Sequence, residues 1–492
     1  MTAQTLPPHQ QMLDGTVRIF VAEGLMLPTG LLTVAFLTRS LGPESYGLYS
    51  LAAVIVSWLG WTVTSIYSRS AIKFVSEAAS WQNVASYVLR LSLAVGCGTT
   101  LLLFLLAPTI TNLLGAANLS GYLRLFAIEI VFVCLANGHK TILTGLGNFH
   151  ARAVITSSHW VLRLILIILF VELGFSLMGA VLGSVVAAFL ELLISRFFIR
   201  PSLFLQGRFP LRHFWSYSLP LFLFVINMRL FDKIDLFALK MLGGTAADVG
   251  IYAAAQNLTL VPGIFALAFS TPLLTILSQL LHSGRQQEAK DLARGAMRVV
   301  VLLLPFAGAC AGAAPEIVQF IFGPSFQAAA PLLVLLIFAS LAVVMVSIVA
   351  AILTAAGKPN WTFSLTAPML PLSILGYWLL IPRLGSLGAA GVTTAVALAA
   401  SLTALWFIFQ LWRVHLPMST ILRTLLVCAG SYVLASLWHS PGIWLMLKMV
   451  VLIPLIPIAY LVIGEMGVNE ISLVKSTFRL RTSASQIREN AL

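Results

Sequence analysis

Charged residues are scarce in this 492-residue chain. Asp, Glu, Lys and Arg together make up 9% of it, and hydrophobic residues make up 59%, whereas soluble domains contain about 25% charged residues. This composition excludes a soluble globular protein. It predicts a polytopic membrane protein, in which most of the chain crosses hydrocarbon.

Cysteines are also few, and they do not cluster. Cys97, Cys134, Cys310 and Cys428 stand singly in apolar segments without CxxC spacing, which argues against a metal site or a redox pair. We expect them to pack in the core, and we predict neither a metal nor a cofactor.

Long polar loops are missing too, so no stretch outside the membrane is large enough for a catalytic domain. We therefore predict that the protein is not an enzyme. The N-terminal stretch through Gln10 and Gln11 lacks the basic region and cleavage site of a signal peptide, so the first apolar run is predicted to be an uncleaved anchor.

Apolar runs of about 18 to 25 residues, long enough to cross about 30 Å of hydrocarbon as helices, occur about fourteen times. They lie near 16–38, 47–67, 86–107, 122–138, 153–172, 176–199, 215–242, 250–273, 296–314, 328–354, 361–381, 386–411, 419–438 and 443–465. The sequence therefore predicts an all-α membrane protein with about 14 transmembrane helices.

The net charge of +13 is unevenly distributed. Basic residues concentrate in alternate loops, such as those with Arg208 and Arg212 or with Arg294, and in the C-terminal tail, whereas the intervening loops hold few. This alternation is typical of the positive-inside rule and not of nucleic-acid binding. It predicts that both termini lie in the cytoplasm.

The chain repeats itself once, at the scale of a duplicated membrane domain. Leu41-Gly42 with Gly47-Leu48-Tyr49 returns as Leu242-Gly243 with Gly250-Ile251-Tyr252, and Ile142-Leu143-Thr144 returns as Ile352-Leu353-Thr354. Corresponding loops fall on the same side of the membrane, so the halves are parallel. We expect two six-helix lobes related by a pseudo-twofold axis, plus two C-terminal helices.

The predicted domain boundaries follow from the repeat. They are an N-terminal lobe at 14–200, a cytoplasmic linker at 201–212, a C-terminal lobe at 213–412, the two extra helices at 418–466 and a cytoplasmic tail at 467–492.

The densest intramembrane charge is in the 215–242 run, where Arg229, Asp232, Lys233 and Asp235 share one helical face. Four lipid-facing charges would cost about 10–14 kcal/mol, so this face must meet water, protein or itself. One interpretation is mutual neutralisation, with Arg229 paired to Asp232. The other is a solvated cleft where the cations hold phosphate and Asp235 binds a proton or cation.

The first half contributes weaker candidates. Arg163 and Glu129 are predicted to contact substrate or to pair with each other, and Glu23 is a second candidate for ion coupling. Three prolines inside apolar runs, Pro28, Pro220 and Pro262, remove backbone hydrogen bonds and are predicted hinges.

The Leu-Gly…Gly-x-Tyr turns, Asp235 eight residues before Gly243, the Ile-Leu-Thr segments and the fourteen-span layout resemble a known family. They are similar to the polysaccharide (O-antigen or exopolysaccharide) flippases of the multidrug/oligosaccharidyl-lipid/polysaccharide exporter superfamily, over about residues 14–465. The departure is the first run, which offers Glu23 but no Arg beyond Arg18.

The resemblance implies a V-shaped pair of lobes in the bacterial inner membrane. It implies alternating access that moves a polyprenyl-diphosphate-linked oligosaccharide from the cytoplasmic to the outer leaflet. Its expected partners are that substrate, membrane lipids and other polysaccharide-assembly membrane proteins, with no nucleic acid.

Two other functions remain open. A cation-coupled multidrug antiporter of the same superfamily shares the six-plus-six plan but usually has twelve spans. A membrane polysaccharide polymerase or ligase would carry a large outer loop with catalytic Arg or His, which this sequence does not have.

Overall fold

The computed structural model describes residues 21–65, 67–77, 80–202 and 233–465, and these residues form helices and turns without a strand. The helices are α1 Met26–Ser65, α2 Ser68–Glu77, α3 Trp81–Leu113, α4 Ser120–Gly145, α5 Phe149–Phe170, α6 Ser176–Phe198, α7 Ile234–Met241, α8 Ala246–Leu258, α9 Leu260–His282, α10 Gln286–Leu302, α11 Leu304–Gly312, α12 Ala314–Phe322, α13 Ala329–Ala355, α14 Pro359–Thr366, α15 Met369–Trp412, α16 Met418–Leu437 and α17 Trp444–Val462.

Nine stretches of the described chain are long and apolar enough to cross a membrane. Three of them, Val21–Ser76, Phe149–Phe198 and Asn360–Trp412, each contain two of the spans predicted from sequence. The predicted 215–242 span lies mostly outside the described residues. The stretches therefore agree with a multi-pass membrane protein.

The first predicted turn lies inside α1. Gly42 has φ 72° and ψ 174°, a combination that essentially only glycine adopts, and Pro43 follows it. Gly243, the equivalent residue in the second copy of the repeat, also has a positive φ, 107°. The repeated glycine thus marks the same turn in both copies.

Helices are interrupted near two of the predicted hinge prolines. The chain is helical on both sides of Leu25, three residues before Pro28, and on both sides of Thr259, three residues before Pro262. A proline has no N–H to donate to the carbonyl four residues earlier, so the helix breaks there. The predicted 250–273 span therefore consists of two helices, α8 and α9. Motion about the two breaks stays a prediction. The third hinge proline, Pro220, lies outside the described residues.

The chain divides into two compact units. Unit 1 comprises Met1–Leu258, Phe322–Ala329 and Leu370–Val392. Within it α4 packs against α3 and α6, α5 packs along α6, and α1 packs along α8. Small residues allow the close approaches: a Cβ on Gly183 of α6 would lie 2.7 Å from the backbone of Ile167 in α5.

Unit 2 comprises Thr259–Ile321, Ala330–Met369 and Thr393–Leu492. Its α11 and α16 pack so closely that a Cβ on Gly312 would overlap the carbonyl oxygen of Tyr432. A buried ion pair joins Lys448 of α17 to Glu316 of α12, with Nζ 3.1 Å from Oε1. The domain boundaries drawn from the repeat stay predictions.

A second set of polar contacts in unit 2 converges on Glu465, just after α17. Thr420 Oγ1 donates to its Oε1 at 2.6 Å, Arg298 Nε donates to the same oxygen at 3.2 Å, and Arg423 Nη1 donates to Oε2 at 3.3 Å. Residues of α10, α16 and the end of α17 are thereby joined through one carboxylate.

Candidate functional site

Asp235 is the second residue of α7, and only 4% of it is exposed. Its Oδ1 accepts a hydrogen bond from the backbone N–H of Leu236 at 2.8 Å. Its Oδ2 accepts two, from the Tyr252 hydroxyl and from Gln256 Nε2, both at 2.9 Å. The carboxylate is therefore buried but satisfied by three donors, two of which come from α8.

Lys233 joins the same network from the position just before α7. Its Nζ donates to Gln256 Oε1 at 2.5 Å, while the other end of that amide donates to Asp235. An amide has one accepting and one donating end, so Gln256 can satisfy the ammonium and the carboxylate together only in this orientation. We call Lys233, Asp235, Tyr252 and Gln256 the α7–α8 array.

A glycine contact places Tyr252 in this array. Gly250, two residues earlier in α8, meets Gly47 of α1 so closely that a Cβ on Gly47 would overlap the carbonyl oxygen of Ala246, and a Cβ on Gly250 would overlap that of Pro43. The two contacts are equivalent in the repeat, because Gly47 and Gly250 are 203 positions apart and so are Pro43 and Ala246. The two copies thus meet symmetrically, and their tyrosines follow two residues later.

The equivalent tyrosine of the first copy serves a different group. The Tyr49 hydroxyl accepts from Arg163 Nη2 at 3.4 Å and lies 3.4 Å from Ser184 Oγ. Tyr252 therefore donates to a carboxylate in one copy, and Tyr49 accepts from a guanidinium in the other. Equivalent tyrosines of the two copies thus contact side chains of opposite charge.

The other residues predicted in the first half are Glu129, which is buried, and Glu23, which is half exposed. Glu129 is 7% exposed, interacts electrostatically with Arg163, and has an Oε2 without a hydrogen-bond partner among the described residues. Glu23 is half exposed, with Oε1 3.8 Å from Arg152 Nη2. Their roles in substrate binding and ion coupling stay predictions.

A cluster of three ionisable side chains, which was not predicted from the sequence, joins α4, α5 and α6. Glu191 of α6 has Oε1 2.7 Å from Lys140 Nζ of α4 and Oε2 2.9 Å from His159 Nδ1 of α5. Glu191 is 2% exposed. The sequence shows each residue singly, but their meeting depends on how three apolar helices rotate against each other.

The comparisons with known proteins place the chain in a family. A model of the family described as polysaccharide biosynthesis protein matches residues 12–280. The chain belongs to this family. The resemblance stated from the sequence motifs is thereby confirmed, and the matched region holds the α7–α8 array and the Glu191 cluster.

One relative of the chain is the succinoglycan biosynthesis transport protein ExoT of Rhizobium meliloti (strain 1021). It is 25% identical over 315 residues, which are 62% of this chain and 61% of that protein. The match therefore spans about three-fifths of the relative's length.

Solved structures show the fold. The lipid II flippase MurJ in an inward closed conformation aligns with a TM-score of 0.74 at 15% identity, covering 92% of this chain and 98% of that one. An inward-facing multidrug resistance MATE transporter aligns with a TM-score of 0.64 at 16% identity, covering 79% and 96%. The described residues are all helical and these neighbours share the two-lobe helical fold, so the predicted fold class is confirmed.

Among the predicted site residues, the structure brings Lys233 and Asp235 together through Gln256. Arg229 and Asp232 lie outside the described residues. Tyr252 and Gln256 were not predicted as site residues. A signal for them was present, because the tyrosine of the repeated turn and a glutamine four residues later share one face of an apolar helix.

Proposed function

We propose that the protein is a flippase that moves a polyprenyl-diphosphate-linked oligosaccharide from the cytoplasmic to the outer leaflet of a bacterial inner membrane, with both termini in the cytoplasm. Membership of the polysaccharide biosynthesis family supports the class of substrate. The observation that carries the site is the α7–α8 array, in which an ammonium and a carboxylate are held on either side of one amide.

The depth of the array supports a transport role. Asp235 lies eight residues before the turn at Gly243, about 12 Å along a helix, so it sits near the middle of a bilayer if that turn marks the membrane face. A Lys and an Asp at that depth would cost about 5–7 kcal/mol if they faced lipid. Intramembrane charges of this kind mark substrate or ion pathways.

The chemistry of Lys233 fits the diphosphate. A primary ammonium has three donors and binds phosphate oxygens as a point charge. In the structure it is held by a neutral amide oxygen, which a doubly charged phosphate replaces at an electrostatic gain. We propose that Lys233 and Arg229 hold the diphosphate, and that Asp232 limits their net positive charge.

Asp235 has a different role in this proposal. Two donors of α8 and one of α7 fix its carboxylate, so Asp235 orients Gln256 and, through it, Lys233. Asp235 and Glu23 remain the proposed sites of ion coupling.

The proposed mechanism is alternating access, with bending at the helix breaks near Pro28 and Pro262. The lipid tail stays in the hydrocarbon while the glycan crosses through water. Both breaks lie at the start of helical segments, where a change of angle moves a whole helix.

Reconstitution tests the proposal. Full-length protein in liposomes is given a polyprenyl-diphosphate oligosaccharide with a fluorescent sugar, and loss of quenchable label from one leaflet measures flipping. We expect flipping of the diphosphate lipid well above that in protein-free liposomes. Equal rates with and without protein contradict the function.

A cellular experiment tests the site residues. Replacing Arg229, Lys233 or Asp235 with Ala should leave the protein inserted in the membrane but stop surface glycan assembly in a strain that depends on it. Normal surface glycan in all three variants contradicts the site. A multidrug antiporter predicts instead that drug efflux falls in these variants while surface glycan is unchanged.

A further inference from the structure

A group of charged side chains in unit 2 takes no part in the proposed transport site. Arg298 of α10 and Arg423 of α16 both donate to Glu465, which follows α17 and is 6% exposed. The Thr420 hydroxyl donates to the same carboxylate. Two cations thus share one carboxylate, so the side chains at this junction of three helices carry a net positive charge.

The two arginines use different edges of their guanidinium groups. Arg298 Nε donates to Glu465 Oε1 at 3.2 Å, and its Nη2 donates to the Glu465 carbonyl oxygen. Arg423 is held by Nη1 alone, which donates to the Gly464 carbonyl oxygen at 3.0 Å and to Glu465 Oε2 at 3.3 Å. Arg298 therefore lays its Nε–Nη2 edge on Glu465, whereas the same edge of Arg423 does not contact it.

The Nε–Nη2 edge of Arg423 has no hydrogen-bond partner among the residues that the structure describes, and 40% of the side chain is exposed. Such an edge presents two parallel N–H groups, which match two oxygens of one phosphate. Ser419, one turn earlier on the same face of α16, is also exposed, and its hydroxyl can donate to a third oxygen. Capping of the C-terminus of α17 explains the contacts of Nη1 but does not use the other edge.

The contacts of Arg423 place its guanidinium at the level of a membrane face. Helix α17 has 19 residues, about 28 Å, which is close to the thickness of the hydrocarbon. Gly464 and Glu465 come directly after this helix, and Arg423 donates to both. The loop charges predict that this face is the cytoplasmic one, where phospholipid headgroups lie beside the protein.

An apolar stripe runs along α16 from Arg423. Leu426, Val433 and Leu437 are each at least half exposed, and they lie within about 80° of Arg423 around the helix, up to about 21 Å along it. A Cβ on Gly430, on the same face, would meet no atom within 4 Å. The surface therefore joins a cationic end to an apolar length that matches one acyl chain.

We propose that Arg423 binds the phosphate of an anionic phospholipid headgroup, with Ser419 beside it and one acyl chain along the stripe of Leu426, Val433 and Leu437. Charge complementarity selects the headgroup, because the junction has a net positive charge and an anionic lipid brings a net negative one. A zwitterionic lipid brings an ammonium group to the same cations. Basic sites between membrane helices at the cytoplasmic face bind anionic lipids on this principle.

Native mass spectrometry tests the proposal, because each bound lipid adds a known mass to the full-length protein. Protein in detergent is titrated with phosphatidylglycerol. We expect Arg423→Gln to weaken the binding about fivefold. Arg200→Gln is the matched control, since Arg200 is exposed and donates to a backbone carbonyl, and it should bind like the wild type. Wild-type affinity for Arg423→Gln, or an equal loss in Arg200→Gln, overturns the proposal.

Glu465→Gln should change the affinity in the opposite direction. It removes the negative charge that competes with the lipid phosphate for both arginines, so binding should become tighter. Arg423→Lys keeps the charge without the bidentate edge, so its affinity should lie between those of the wild type and Arg423→Gln. These variants keep the proposal testable if Arg423→Gln does not fold, and an unchanged or weaker affinity in Glu465→Gln overturns it.

Two other lipids distinguish the source of the phosphate. Phosphatidylcholine with the same acyl chains should bind more weakly than phosphatidylglycerol, and equal affinity for the two overturns the selection by charge. Arg423→Gln should weaken phosphatidylglycerol more than a polyprenyl diphosphate. The reverse order assigns Arg423 to the transported lipid and overturns the proposal. Transport is not measured, so the outcome is independent of whether the proposed flippase function is correct.

Discussion

Gly47 and Gly250, equivalent residues in the two copies of the repeat, lie directly against each other. The contact is reciprocal, because each glycine faces the carbonyl oxygen of the residue four positions before the other, Ala246 or Pro43. Neither position has space for a Cβ. The repeated glycine therefore serves the contact between the copies, while Gly42 and Gly243 serve the turns.

Adding a methyl group to this contact should destabilise the protein. Gly47→Ala and Gly250→Ala force backbone atoms apart, and overpacking of this kind costs about 1–3 kcal/mol. We expect a lower thermal unfolding midpoint in detergent for either variant. Gly98→Ala, at a helical glycine with open space around it, is the control; equal midpoints in all three variants contradict the contact.

Tyr252→Phe should impair transport without unfolding the protein. The change removes one of the three donors to Asp235, and a hydrogen bond to a charged group contributes about 1.5–3 kcal/mol. We expect flipping to fall about tenfold in protein that is still folded and inserted, with a modestly lower unfolding midpoint. Tyr432→Phe, at a tyrosine 44% exposed, should flip lipid at the wild-type rate, and a wild-type rate for Tyr252→Phe contradicts the role given to this hydroxyl.

Removing either member of the buried pair of Lys448 and Glu316 should destabilise the protein, and removing Glu316 should cost more. Lys448 is fully buried and Glu316 is 12% exposed, so Glu316→Ala leaves an ammonium without its partner, at about 3–5 kcal/mol. We expect Lys448→Met to be milder and the double variant Glu316→Gln with Lys448→Met to recover most of the stability. Additive losses in the double variant contradict a coupled pair.

Glu465 should matter more than either arginine that contacts it. Three side chains converge on its carboxylate, so Glu465→Ala removes all three interactions at once. Arg298 is less exposed than Arg423, 29% against 40%, and screening weakens the more exposed pair. The unfolding midpoint should therefore be lowered least by Arg423→Ala, more by Arg298→Ala and most by Glu465→Ala, in both low and high salt. A midpoint for Glu465→Ala above that of either arginine variant contradicts this ranking.

Composition and turn chemistry were enough to predict the fold class. The glycines at 42 and 243 predicted the turns because their conformation excludes other residues, and apolar run length predicted membrane helices. The break at Thr259 divides a run predicted as one span, although the effect of Pro262 on that helix was foreseen.

The site was only partly predictable. An Asp in an apolar run is costly wherever it points, so Asp235 could be identified from sequence alone. Its partners could not, because the register of α7 against α8 depends on tertiary packing and not on the period of the sequence. Lys140, His159 and Glu191 show the same limit: their helices are apolar on nearly all sides, so periodicity does not fix which face each turns toward the others.

The most direct test of the proposed site compares two lysines of the same segment in the flipping assay. Lys233 donates to Gln256 within the α7–α8 array, whereas Lys240 donates to the carbonyl of Gly244 at the end of α7. We predict that Lys233→Ala reduces flipping of the polyprenyl-diphosphate oligosaccharide at least tenfold and that Lys240→Ala flips it at the wild-type rate. Wild-type flipping by Lys233→Ala, with the protein folded and inserted, would contradict the account.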